Sequence, residues 1–128
     1  MNLIVATLMP DAVKIGGLML PRAAALAALP DASRLLLGVR PKALVIGRPQ
    51  TPGLAGTVTL VEHLGVDSIV TVRLADAQTS HAGEDIPDAE IMVVVPDYSD
   101  LAIGDAVSVG VDPAKAVYFD SATGMRLG

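Results

Sequence analysis

Residues 57–74 constrain this chain most: two runs with a period of two, joined by a short turn. Val70, Val72 and Leu74 share one face of the second run, and Thr71 and Arg73 share the other. In the first run Val58 and Leu60 are expected on one face and Thr57 and Thr59 on the opposite one. Alternation of β-branched residues is the pattern of half-buried strands. Leu64, Gly65, Val66, Asp67 and Ser68 supply a glycine hinge and a side chain able to cap a turn. Most other apolar segments are equally short and are cut by Gly, Pro and Asp. The chain therefore reads as a small all-β domain with this hairpin at its centre.

Its 128 residues suit one domain, 1–128, with a real core. Hydrophobic residues make up 52% and mean hydropathy is +0.55, yet no apolar run approaches the roughly 18 residues that span a bilayer. The first ten residues carry no basic head of a secretory signal. So apolar a domain is expected to bury surface against something else. The absence of cysteine excludes disulfides and thiolate chemistry and fits a cytoplasmic setting. A net charge of −5 and a pI near 4.7 disfavour nucleic acid, which needs a basic patch. Tyr98, Tyr118 and Phe119 are the whole aromatic supply, too few for base-stacking platforms.

In chain order, strands are expected over 3–9 and 12–20, with Gly16-Gly17 a possible second turn inside the latter. Pro21 opens a short helix over 22–29, stopped by Pro30 and Asp31. Strands follow over 35–39, the central hairpin, 90–96, 106–111 and 117–119. Residues 48–53 read as a Pro/Gly loop, 75–88 as an exposed polar connection or hairpin tip, 97–103 as a loop with a possible helical turn, and 121–128 as a tail. Many short strands at close spacing point to a barrel or sandwich of antiparallel strands with one short helix.

Chemistry is hard to find. Gly16-Gly17 and the glycines of 53–56 lack the following Lys-Ser or Lys-Thr and the strand-to-helix setting of a phosphate loop, so they read as turn glycines. His81, Glu84, Asp85, Asp88 and Glu90 could hold a cation loosely, but a solvated acidic loop explains them better, since His63 lies elsewhere. His63 follows Glu62 on a strand, so the two point to opposite faces and form no relay; His63 reads as a strand-surface residue. Ser121 and Asp120 have no histidine near them in sequence. No catalytic, metal or cofactor-binding residue emerges.

Other residues carry a resemblance. Gly38, Val39, Arg40 and Pro41 look like a Gly-hydrophobic-Arg-Pro-Glu strand end, with Lys42 where an acid is usual. Gly56, Val58, Val61, Glu62, Leu64 and Gly65 follow a hairpin pattern, and Gly104, Asp105 and Val107 match Gly-Asp-x-Val. Phe119, Asp120, Thr123, Gly124, Arg126 and Leu127 match Phe-Asp-x-x-Thr-Gly-x-Arg-Leu, with Tyr118 where Leu is common. In this order the pieces resemble the C-terminal regulatory domain of ATP-binding subunits of ABC importers of the maltose and glycerol-3-phosphate type. Met1-Asn2-Leu3 resembles the join to the ATPase domain.

The resemblance implies an OB-like, TOBE-type barrel, non-catalytic by itself because the phosphate loop lies in an ATPase domain absent here. It implies a homodimer through the barrel, association with ATPase domains and membrane permease subunits, a possible regulatory protein, no cofactor, and a cytoplasmic place at the inner face of the membrane. Arg40, Phe119, Asp120 and Arg126 are the candidate interface or regulatory residues, with Phe119 the expected anchor. From the residues alone, Asp105 and Asp120 suit bonds to turn amides, and Arg40 suits an ion pair. The competing expectation is a free-standing oxyanion-binding module using Arg40, Lys42, Ser68 and Thr71.

Overall fold

The computed structural model describes residues 1–81, 84–86, 90–96 and 100–127. The chain runs through β1 (Asn2–Leu8), β2 (Ala12–Ile15), β3 (Leu18–Pro21), β4 (Arg34–Val39), β5 (Leu44–Gly47), β6 (Leu54–His63) and β7 (Asp67–Leu74). It continues with β8 (Thr79–His81), β9 (Glu84–Ile86), β10 (Glu90–Pro96), β11 (Ala106–Val111), β12 (Val117–Asp120) and β13 (Arg126–Leu127). One sheet has the order β13-β12-β4-β1-β2-β3, with the β8–β9 hairpin joined to β1. The other, β10-β7-β6-β11-β5, curls until its edge strands β10 and β5 are neighbours. Every strand pair is antiparallel. The result is the expected small, nearly closed barrel-like all-β fold.

Period-two alternation sends one face of each sheet into a shared core. Ile4, Ala6 and Leu8 of β1, Val70, Val72 and Leu74 of β7, and Ile91, Val93 and Val95 of β10 are buried there. At roughly 1.5–3 kcal/mol for each large aliphatic side chain, this burial is the main force holding the sheets together. Strand β4 is covered on both sides: Leu35, Leu37 and Val39 face the core, while Leu36 and Gly38 lie beneath a second layer that includes Phe119.

Several expectations need correction. Residues 12–20 take the alternative reading, two strands with the turn at Gly16-Gly17, because Gly16 adopts a left-handed φ of 54° there. The helix over 22–29 shrinks to a 3-10 turn, Ala24–Leu26. Eight residues between prolines are too few for a stable helix, and the Arg22 guanidinium instead gathers the carbonyls of Leu26, Ala27 and Leu29. Leu44–Gly47, unassigned from sequence, is an edge strand. The polar connection contains the β8–β9 hairpin, and the tail contains β13, paired to β12. Of the loop over 97–103, residues 97–99 lie outside the described residues.

The hairpin itself holds one surprise. Pairing shifts between Val58 and Leu60, where β6 carries an extra residue. Such a bulge reverses the facing of everything beyond it. Val58 is therefore buried, whereas Leu60, expected beside it, stands on the outer surface opposite Thr71.

Candidate interaction surface

The closing motif builds a tight loop. The Asp120 carboxylate accepts hydrogen bonds from the amides of Ala122 at 2.8 Å and Thr123 at 2.9 Å. The Thr123 hydroxyl accepts from the Met125 amide, and Gly124, at φ 73°, returns the chain so that Arg126 lies opposite Phe119. The two amides hold the Asp120 carboxyl below the usual carboxylate range. Asp105 caps the turn before β11, accepting a hydrogen bond from the Ala102 amide at 2.9 Å. Its backbone carbonyl and the Gly104 amide bond Val58 at the bulge. Both aspartates thus perform the turn role read from sequence.

Phe119 is half-buried, on the outer side of β12. Its ring lies so close over Gly38 that a Cβ there would come within 2.7 Å of Phe119 Cε2 and of Met1 Sδ. Tyr118, its neighbour, is the aromatic that enters the core, and burial raises its phenol pKa. Arg40 is exposed at the start of the 3-10 turn Pro41–Ala43, and Arg126 is exposed on β13. Asp120, Phe119 and Arg126 are brought together at the β12–β13 end, while Arg40 lies beyond the far end of β4. Strand β12 runs antiparallel to β4, so Asp120 is opposite Leu35 and Val117 opposite Gly38.

The four residues suggested for an oxyanion do not converge. Ser68 is 2% exposed on the inner face of β7, and its Oγ sits 2.9 Å from His63 Nδ1; Thr71 lies on the outer face. His63 and Ser68 were not paired in the sequence reading, although the five-residue gap across a turn places them in register. Among the described residues no group of His, Asp and Glu is arranged to hold a metal. The acidic cluster around His81–Asp88 includes side chains outside the described residues.

Sequence reasoning missed the outer face of β6, β7 and β10. Leu60 is 44% exposed and Met92 50%, with Thr71 between them in register. Glu62, Ile69 and Val94 form the next row, and the turn adds Leu64 and Val66, both exposed. A cluster of exposed apolar side chains, bordered here by Glu62, is the kind of feature that marks a contact site.

Residues 37–119 match the TOBE domain, a span that runs from β4 through the barrel to Phe119. The chain belongs to the TOBE domain family. This bears out the expected OB-like barrel, and it separates the chain from an ATPase domain. Over 127 residues the chain is 32% identical to the sn-glycerol-3-phosphate import ATP-binding protein UgpC of Cereibacter sphaeroides. That match covers 99% of this chain and 32% of the relative, so this TOBE domain spans about a third of the protein it resembles. No helix among the described residues is long and apolar enough to cross a membrane.

Proposed function

We propose that this TOBE domain is the regulatory and dimerisation part of the ATP-binding subunit of an ABC importer for sugars or glycerol 3-phosphate. One observation carries the reading: nearly the whole chain aligns with a third of an import ATP-binding protein. The domain contributes no catalysis itself. Its work is tethering: two barrels that stay paired keep two ATPase domains at high effective concentration while those open and close against the permease subunits. In that setting it sits in the cytoplasm, at the inner face of the membrane. A regulatory protein that binds one arrangement of the pair better than another would bias the cycle. Arg40, Phe119, Asp120 and Arg126 are proposed contact or regulatory residues, with the half-buried Phe119 ring as an anchor at the β12–β13 end.

Sedimentation of the chain across a dilution series tests the reading. A species near twice 13.1 kDa that persists on dilution supports it, whereas a monomer at every concentration rejects pairing by the barrel alone.

A further inference from the structure

We infer that the outer face of β6, β7 and β10 is the surface through which two copies of this domain pair, by a two-fold that matches Arg73 of each copy with the partner's Asp67. The inference rests on the dimerisation reading above and goes further by naming the surface and its symmetry.

The outward residues of β7 are, in order, Asp67, Ile69, Thr71 and Arg73, alternating with the buried Ser68, Val70, Val72 and Leu74. A negative and a positive group thus end the row, about 20 Å apart at strand rise, with weakly polar or apolar side chains between. Strand β10 lays Met92 beside Thr71 and Val94 beside Ile69, and β6 lays Leu60 on the other side of Thr71. Such a row is self-complementary. Turning a second copy about an axis in the plane of the sheet, across β7 between Ile69 and Thr71, sets each Arg73 over the partner's Asp67. The same rotation sets Met92 over the partner's Val94 and Thr71 over the partner's Ile69, and on β6 it sets Leu60 against the stem of the partner's exposed Glu62, at the rim of the strip. This is the isologous relation that a closed two-fold dimer requires. Opposite charges at the ends of an apolar strip also fix its register.

Three further observations favour this occupant. The bulge in β6 spends a residue to turn Leu60 outward, a costly exposure for a monomer. The carboxylate next to Arg73, that of Glu90, is taken by the Thr59 hydroxyl, and Arg73 forms no ion pair among the described residues. Edge-to-edge pairing through β10 is blocked at Met92, whose backbone amide and carbonyl are both held by the Asn2 side chain. For this sheet, pairing through the β10 edge is thus closed at Met92, and its outer face remains open.

Charge exchange on the full chain tests the inference by sedimentation, with circular dichroism confirming that each variant is folded. Arg73→Asp and Asp67→Arg alone place like charges together twice per dimer, and each is expected to weaken pairing at least about tenfold. An equimolar mixture of the two single variants, and the double variant, are expected to pair like the original chain. Should a reversal disturb folding, Thr71→Arg probes the same face, because it brings two cations together beside the axis. A dimer indifferent to all of these substitutions overturns the assigned face and leaves barrel pairing intact. A chain monomeric throughout overturns both.

Discussion

The side-chain amide of Asn2 bonds the backbone of Met92 twice, donating from Nδ2 to its carbonyl at 2.9 Å and accepting from its amide at Oδ1 at 3.0 Å. In doing so a residue at the start of one sheet completes the free edge of the other, as a neighbouring strand would. Unpaired strand edges invite association. Asn2→Ala should therefore cost about 1–3 kcal/mol through two lost bonds to backbone groups. It should also make the chain prone to concentration-dependent aggregation. Urea titration and light scattering measure the two effects separately.

Glycine at 56 is a matter of space. A Cβ there would lie 2.5 Å from Val72 Cγ1 and 2.8 Å from the Arg73 carbonyl oxygen, and backbone cannot yield as a flexible side chain can. Gly56→Ala is expected to destabilise the domain by about 1–3 kcal/mol or more, as overpacking does. Gly65 makes the contrast: its φ is 99° but nothing lies within 4 Å of an added Cβ. Gly65→Ala should cost only the roughly 1 kcal/mol of a left-handed alanine. Denaturant midpoints of the two variants decide whether crowding outweighs backbone strain.

Asp120 makes a pH-dependent contribution. Its folded carboxyl titrates below the ordinary value because the Thr123 and Ala122 amides favour the charged form. The stabilisation is therefore present above the unfolded pKa, about 3.9. It is lost as pH falls through the lower folded value. Asp120→Asn should be less stable than the original chain near neutrality, and the gap should close in acid. A gap that stays constant down to strongly acidic pH would show that the charge of Asp120 contributes nothing.

How much of this was legible in sequence follows from what kind of force decides each element. Strands β7, β10 and β11 were readable almost to the residue, because their alternation is set by one buried face. The face of Leu60 was not, since the extra residue of the bulge leaves no mark in the apolar period yet inverts the alternation beyond it. Nor was β5, whose Leu-Val-Ile-Gly is too short to show a period and is fixed by pairing with β11. The turn roles of Asp105 and Asp120 were legible because they are local. The outer face that carries Leu60, Thr71 and Met92 was hidden because it depends on three strands coming together in one register.

Arg22 shows the same limit at the mistaken helix. Alanine-rich residues between two prolines favour helix locally, but Arg22 lies at the centre of a knot that no local propensity describes. Its guanidinium donates to the carbonyls of Met9 and Pro10 on one side and of Leu26, Ala27 and Leu29 on the other, and it pairs with Asp31 at 2.9 Å. The side chain is 15% exposed and Asp31 58%, so the ion pair is a minor part and the carbonyls are the main partners. Removing the cation leaves several partly buried carbonyls without a donor. Arg22→Met, which keeps the apolar stem, should then cost on the order of 3 kcal/mol, the range for hydrogen bonds to a charged group. Arg22→Lys should recover little of this, because a single ammonium cannot reach carbonyls on both sides as a planar five-donor fork does. Asp31→Asn should cost well under 1 kcal/mol, as exposed pairs do. Urea unfolding of the three variants checks the order Arg22→Met, then Arg22→Lys, then Asp31→Asn. If Asp31→Asn proved as damaging as Arg22→Met, the salt bridge rather than the carbonyl knot would hold the segment in place.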